Sequence, residues 1–310
     1  MSGVKIGFDI GGTKCAVCLG EETGDGIRVL SKRRFPTAGA PAAMLDTLAS
    51  AAREMLVGAG NPAVNGAGIS CGGPLDSARG VILSPPNLPG WDAVPAASLV
   101  RERLGVPVKL ENDANACAVA EWKYGAGRGV RSMAFLTFGT GLGAGLILNG
   151  QLWRGATDAA GEIGHVRLTP DGPVGFGKAG SCEGWCSGGG IARLAARMAQ
   201  EDPAGAAALL ADGAPDAGRI ARLADAGDSF CRRVYETSGK MLGRTLAILS
   251  DVLDLERIVI GSVFARSENL LRPAMERVLA AEALRVPEVV PAALGEAIGD
   301  IAALAVAGEA

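Results

Sequence analysis

Apolar and polar positions along this chain run through the same pattern twice. From Val4 the residues alternate and then run apolar to a strand end at Asp9, break at Gly11-Gly12-Thr13-Lys14, and resume as an apolar stretch over Cys15–Leu19. Short apolar runs bounded by turn residues predict buried strands, and Ile27–Phe35 reads as a third. Pro41 opens a helix to about Val57, with Ala, Met and Leu on one face. Val64–Ser70 predicts the next strand, followed by the turn Cys71-Gly72-Gly73-Pro74. Residues 84–91 are too proline-rich for regular structure and predict a shaped loop. Ala97–Leu104 reads as a helix and Val106–Leu110 as a strand. That strand passes through Glu111, Asn112 and Asp113 into a helix over Ala116–Trp122.

The pattern then restarts. Met133–Phe138 is an apolar strand, Gly139-Thr140-Gly141-Leu142-Gly143 a turn, and Ala144–Leu148 a returning strand. Set beside Ile6–Leu19, Phe135–Leu148 repeats one strand, glycine-rich turn, strand unit, which marks an internal duplication. Residues 168–190 read as a glycine-rich loop and 201–217 as short helices or a connection. Ser229–Leu253 is the longest helical pattern, Arg257–Ile260 a strand entering Gly261, and Ser267–Ala281 and Ala293–Val306 are helices.

With 310 residues the chain favours two domains, and 46 glycines within a 48% hydrophobic composition suit a tightly packed α/β protein. A formal net charge of -3 argues against a general nucleic-acid role, which needs a basic face. Lys32-Arg33-Arg34 is the one basic run, expected as a solvated strand end. The start has no cationic, apolar leader and no apolar run is long enough to span a bilayer, so a soluble cytoplasmic protein is expected. Seven cysteines, an odd number, suggest reduced thiols. Cys15 and Cys18 have redox spacing but lie on a strand, where residues three apart point to opposite faces.

Chemistry is concentrated at three places. Asp113 sits where a strand hands over to a helix, among unpaired backbone N–H groups that would hold a carboxylate ionised, as a general base requires. Capping is the commoner role of Asn or Asp before a helix, and Asn112 and Asp113 taken alone leave cap and base both open. The two glycine turns offer backbone N–H groups and close approach to an anion, and facing one another they would grip a polyphosphate from both sides. Gly139, Gly141, Gly143 and Gly145 miss the dinucleotide fingerprint, since position 146 is Leu and the turn opens a strand rather than a helix. The Walker lysine pattern is absent. Asp9, before the first turn, is placed to hold Mg²⁺ through water.

Two such units with phosphate turns in both halves and an acid between them resemble the duplicated actin-like ATPase, or ribonuclease H-like, fold. More closely, the chain resembles the ROK family of sugar kinases and repressors. The motifs that carry this are Asp9-Ile-Gly-Gly-Thr-Lys14, Asn112-Asp-Ala-Asn115, Gly139-Thr-Gly-Leu-Gly143, Gly161-Glu-Ile-Gly-His165, and Glu183 ahead of Ser187-Gly188. The resemblance implies an ATP-dependent, Mg²⁺-using hexose or N-acetylhexosamine kinase, with glucose phosphorylated at its 6-hydroxyl as the first expectation. Asp113 falls on the catalytic base. Asn87, Asn112, Glu162, His165 and Glu183 fall on sugar contacts. Asp9, Gly11, Gly12, Thr13, Lys14, Gly139, Thr140, Gly141 and Gly261 fall on the nucleotide side. It also implies a lobe of residues 1–117 with 294–310, a second of 118–293, and a homodimer formed through the second.

Two departures stand out. Family members carry a zinc site built from the histidine at His165 and three cysteines, but those positions fall on Val174, Phe176 and Ser181, while Cys182 and Cys186 are off register. No structural zinc is therefore expected; Phe176 is expected inward in the metal's place. Gly261-Ser262-Val263 is poorer in glycine than the family's adenosine segment. The family's repressors need an N-terminal helix-turn-helix, for which a first strand at Val4 is expected to leave no room.

Overall fold

In the computed structural model, which describes residues 3–24, 26–211 and 213–307, the duplication is explicit. The first half runs β1 (Val4–Ile10), β2 (Lys14–Thr23), β3 (Gly26–Pro36), α1 (Pro41–Gly58), β4 (Val64–Cys71), a small hairpin of β5 (Leu75–Asp76) and β6 (Val81–Ile82), α2 (Ala96–Leu104), β7 (Val108–Asn112) and α3 (Asp113–Tyr124). The second runs β8 (Met133–Phe138), β9 (Leu142–Leu148), β10 (Gln151–Trp153), the hairpin β11 (Val174–Gly175) and β12 (Lys178–Ala179), then α4 (Cys182–Trp185), α5 (Gly188–Glu201), α6 (Ala207–Leu210), α7 (Ala217–Asp225) and α8 (Ser229–Leu253). It closes with β13 (Arg257–Ile260), α9 (Val263–Glu282), β14 (Glu288–Pro291) and α10 (Ile298–Val306).

Two five-stranded sheets share one topology, β3-β2-β1-β4-β7 and β10-β9-β8-β13-β14. In each, the first three strands are antiparallel and the last two join in parallel, so β1 and β8 are the equivalent central strands. Both central strands are buried along nearly their whole length because helices cover both faces of each sheet. One core joins the first sheet to α1 and α2, and another joins the second sheet to α5, α7, α8 and α9. Between the sheets, α3 lies on β8 and β9, α10 lies on β1 and β4, and the two helices pack together.

Glycine permits that close approach. A Cβ at Gly68 would strike the Ala303 carbonyl, and one at Gly145 would meet Ala118 Cβ and the Ala114 carbonyl. Glu121, fully buried on α3, accepts from the N–H groups of Ala126, Ala293 and Leu294, tying the end of α3 to the chain that leads into α10. Cys15 and Cys18 do face opposite sides of β2: Cys15 meets Thr37 Oγ1 at 3.2 Å, whereas Cys18 reaches towards the carbonyls of Gly7 and Asp300.

Several elements depart from the sequence expectation. The glycine-rich stretch 168–190 is ordered by β11, β12 and α4, and its last three residues begin α5. The helix expected from Ser267 starts at Val263 and breaks at Ser267, where the backbone leaves helical geometry. Ala293–Val306 is helical only from Gly295, first as a 3₁₀ turn. Lys32 is not a solvated strand end: its ammonium pairs with the buried Asp300 of α10.

Candidate functional site

The floor of the cleft is the junction of β7 and α3. Asn112 takes the cap, its Oδ1 accepting from the N–H groups of Ala114 at 2.9 Å and Asn115 at 3.3 Å. That leaves Asp113 free of the capping duty. Its Oδ1 accepts from Ala114 N–H at 2.8 Å, and Oδ2 faces Gly72, where an ideal Cβ would lie 3.9 Å away. The same Gly72 lies beside the Asn87 amide, so the bare turn after β4 makes room for Asp113 and Asn87 to share a space. Asp113 is reachable by solvent yet enclosed by the surrounding protein. That enclosure raises its carboxyl above the usual range, against the Ala114 N–H, which lowers it. The N–H groups at the helix start and the enclosure therefore act on this carboxyl in opposite directions.

The first glycine turn joins β1 to β2. Thr37 fastens it, donating through Oγ1 to the Gly11 carbonyl at 2.6 Å and through its N–H to the Thr13 carbonyl at 3.1 Å. Gly12 is pressed against the Asn87 carbonyl, where a Cβ could not fit. Among the described residues no hydrogen bond uses the N–H of Gly12 or Thr13, and Thr13 and Lys14 are exposed. Asp9 is pushed up to about 6 by burial, then by the negative charges of Asp300 and Asp113, with Lys32 and Lys14 acting the other way. Asp9 suits a dication: an enclosed carboxylate beside two further acids is relieved by positive charge. Among the described residues no three His, Cys, Asp or Glu side chains gather as a metal-binding set. One carboxylate assisted by water and phosphate oxygens is how Mg²⁺ is commonly held.

The second turn joins β8 to β9. Gly143 N–H donates to Thr137 Oγ1 at 3.0 Å, and the Gly139 and Thr140 carbonyls accept from Gly188 and Gly189 at the start of α5. The N–H groups of Thr140 and Gly141 have no partner among the described residues. Behind this turn a cavity of about 610 Å³ is lined by Thr140, Gly189, Tyr235, Ser262, Val263, Arg266 and the 215–225 segment. Gly261 directly follows β13 and precedes Ser262, which lines this cavity, without lining it itself. Sequence reasoning missed Gly188, Gly189 and the 215–225 residues. A Ser187 cap followed by three glycines and the apolar spacing Ile191, Leu194, Ala195 was the available signal.

On the other wall, Gly161 has φ +86 and lies against the Ala144 carbonyl, and Gly164 lies against that of Leu142. Only glycine fits either place, so the turn lies flat on β9 and buries Ile163. Glu162 and His165 stay partly open to solvent, with His165 Nε2 3.7 Å from Glu162 Oε2. Glu183 of α4 does not stand free among them: its Oε2 accepts from Leu142 N–H at 3.2 Å, joining this wall to the second turn. Phe176 is 62% exposed at the tip of the β11–β12 hairpin, against the expectation that it would fill the metal's place inward. Its ring instead meets the His165 ring edge-on at 4.6 Å, and Lys178 donates to the His165 carbonyl. Cys182 and Cys186 point into the core of the second half, towards Thr245 and Ser238 respectively, and not towards His165.

Two duplicated sheets, each carrying a glycine turn between its central strand and the next, constitute the actin-like ATPase fold in two lobes. The profile of the ROK family matches residues 5–309. A glucokinase of Streptomyces coelicolor is 35% identical over 318 residues, covering 99% of this chain and 98% of the relative. A ROK hexokinase from Thermus thermophilus superposes with a TM-score of 0.81 at 32% identity, covering 98% of this chain and 97% of the other. A ROK glucokinase of Streptomyces griseus, solved with glucose and AMPPNP, gives a TM-score of 0.78 at 32% identity, covering 98% and 99%. The chain belongs to the ROK family.

Proposed function

We propose that this protein phosphorylates glucose at the 6-hydroxyl with ATP. It is an ATP-dependent sugar kinase. The observation that carries the reading is that Asn112 performs the capping, so Asp113, beside Gly72, is left as an available base. Asn87, Asn112, Glu162, His165 and Glu183 bind the sugar hydroxyls, since amides, carboxylates and imidazole pair well with vicinal hydroxyl groups. Gly11, Gly12, Thr13 and Lys14 hold the phosphate chain from one lobe and Gly139, Thr140 and Gly141 from the other. The 610 Å³ cavity takes the nucleoside, with Gly261 at its edge.

In the reaction Asp113 accepts the proton of the sugar hydroxyl, the oxygen forms its bond to the γ-phosphorus, and the bond from that phosphorus to the bridging oxygen breaks, releasing ADP. Positioning and charge stabilisation dominate such a transfer. Asp9 would hold Mg²⁺, which would supply neutralisation of phosphate charge. Closure of the lobes limits ATP hydrolysis by excluding water. The similarity to glucokinases at 35% and 32% identity over nearly the whole chain supports glucose. ATP use and seven free thiols fit the cytoplasm, and among the described residues no helix is long and apolar enough to cross a membrane. Ile248, Val252 and Leu284 remain exposed on the second lobe and supply an apolar face for a homodimer.

A coupled ADP-release assay across glucose, fructose, mannose and their N-acetylamino relatives tests the reading. Glucose should give the highest kcat/KM. A higher value for another sugar would move the substrate assignment, and no sugar-dependent ADP release would remove the kinase reading.

A further inference from the structure

The residue before the Asn112–Asp113 pair, Glu111, is an acidic side chain only 2% exposed. Three hydrogen bonds and an ion pair converge on its carboxylate. Oε1 accepts from Asn112 N–H at 3.0 Å and from Asn115 Nδ2 at 2.9 Å. Oε2 accepts from Arg154 Nε at 2.8 Å and pairs with the charge at Nη2, also 2.8 Å away. A carboxylate accepts on both oxygens at once; a carboxamide, with one acceptor oxygen, cannot. Asn115 is turned to serve this group: its Oδ1 is buried without a partner among the described residues. A buried carboxylate so fully matched is a fixed point, and it is the point from which the Asn112–Asp113 turn departs.

Arg154 comes from the other lobe. It directly follows β10 and begins the segment that ends at Glu162 and His165, and its carbonyl accepts from Ala160 N–H at 3.1 Å. Four residues on, Asp158 accepts from the N–H and the hydroxyl of Ser77 in the first lobe, both at 2.8 Å. The segment carrying two sugar contacts is thus fastened to the first lobe twice, and one fastening is the strand that carries the base.

We propose that Arg154 is a positioning residue for phosphoryl transfer. Acting through Glu111, it holds the β7–α3 junction and the Glu162–His165 segment in one frame, so that the sugar hydroxyl and Asp113 meet. Arg154 reaches no reacting atom itself. The proposal rests on the reading of Asp113 as base and of Glu162 and His165 as sugar contacts. A misplacement of about 1 Å costs on the order of a hundredfold in rate, which sets the scale.

The test uses the full chain with Arg154→Ala, Arg154→Lys and Glu111→Gln, alongside Asp113→Asn. Arg154→Ala should lower kcat by roughly ten- to a hundredfold and raise the sugar KM, with the ATP KM held within about twofold. Millimolar methylguanidinium should restore much of the lost kcat, because the Arg154 side chain is 37% exposed and a planar cation can reach Glu111 in its place. Arg154→Lys should fall between wild type and Arg154→Ala, keeping the charge but losing the paired geometry. Glu111→Gln should match Arg154→Ala in kcat without responding to methylguanidinium. Wild-type kinetics in folded Arg154→Ala would overturn the proposal. So would a loss that methylguanidinium leaves untouched while both substrates weaken equally, the mark of a general structural role. Should Arg154→Ala not fold, Arg154→Lys carries the decision: wild-type kcat and sugar KM in that variant would equally overturn it. Sugar-dependent ADP release by wild type, lost in Asp113→Asn, is read in the same experiment. If that fails, the kinase reading falls and this proposal with it; if it holds while the Arg154 variants behave as wild type, only the positioning role falls.

Discussion

Asp9→Asn should stabilise the ligand-free protein while removing its activity. Asp9 is enclosed at the end of β1, and burial, Asp300 and Asp113 raise its carboxyl from 3.8 to about 6. A carboxyl whose pKa is higher folded than unfolded binds more protons in the native state between those two values. Stability is therefore full below the lower value and declines as pH rises through the upper one. A displacement of about two units at about 1.4 kcal/mol per unit corresponds to about 3 kcal/mol lost at neutral pH. Asparagine carries no charge to desolvate or repel, so that loss disappears. Urea unfolding of both proteins without ligand, near pH 4 and near pH 8, measures the difference directly. The variant should be more stable than wild type by up to about 3 kcal/mol at the higher pH and nearly equal to it at the lower. With Mg²⁺ and ATP present the order should narrow or reverse, because only the aspartate gains from the dication. A variant no more stable than wild type at about pH 8, with an unchanged pH slope, would refute the view that Asp9 is held at a cost to the fold.

Asp113→Asn should fold normally, since Asn112 keeps the cap, and lose at least about a hundredfold in kcat with both substrates still bound. In wild type, kcat should fall as pH drops through the raised Asp113 pKa, because the protonated carboxyl cannot act as base. Glu162→Ala should raise the sugar KM far more than the ATP KM; Glu183→Ala should raise the sugar KM and disturb ATP as well, to a lesser degree, since Glu183 also holds Leu142 N–H in the second turn. Equal effects on both substrates in Glu162→Ala would contradict its side of the cleft. Elemental analysis should find no stoichiometric zinc, and chelator should change neither melting temperature nor activity once Mg²⁺ is restored. The 168–186 segment has its own ties, with Ser181 donating to the Gly175 carbonyl at 3.2 Å and Trp185 Nε1 to Thr169 Oγ1 at 3.0 Å. About one zinc per chain, lost together with activity, would overturn this.

What could be read from the chain was local. The strand, turn, strand units were legible because apolar runs bounded by glycine fix both the strands and the break between them, and Asn112-Asp113 could be placed at a strand-to-helix junction. Which of the two caps the helix was not, because either side chain reaches the first N–H groups; the fold decides by turning Asp113 towards Gly72. α5 and α7 were hidden because their buried faces, Ile191, Leu194 and Ala195, and Ile220, Ala221 and Ala224, stand among Gly, Ala and Asp that read as connection. β14 is four residues at a sheet edge ending in proline, too short for alternation to show. The pairing of Lys32 with Asp300 spans 268 positions and has no local signature at all. Phe176 was expected inward on the logic of replacing a metal with apolar volume, but a two-stranded hairpin turns at that position, with φ +47, and leaves the ring outside against His165.

The central claim is that Asp113 takes the proton from the 6-hydroxyl of glucose as phosphate is transferred. The most direct measurement follows ADP release and the phosphorus NMR of the product with glucose and with 6-deoxyglucose, in wild type and in Asp113→Asn. Wild type should convert glucose to its 6-phosphate, 6-deoxyglucose should bind competitively without turnover, and Asp113→Asn should bind both and turn over neither at a comparable rate. Phosphate appearing on another oxygen, turnover of 6-deoxyglucose, or near-normal turnover in Asp113→Asn would contradict the account.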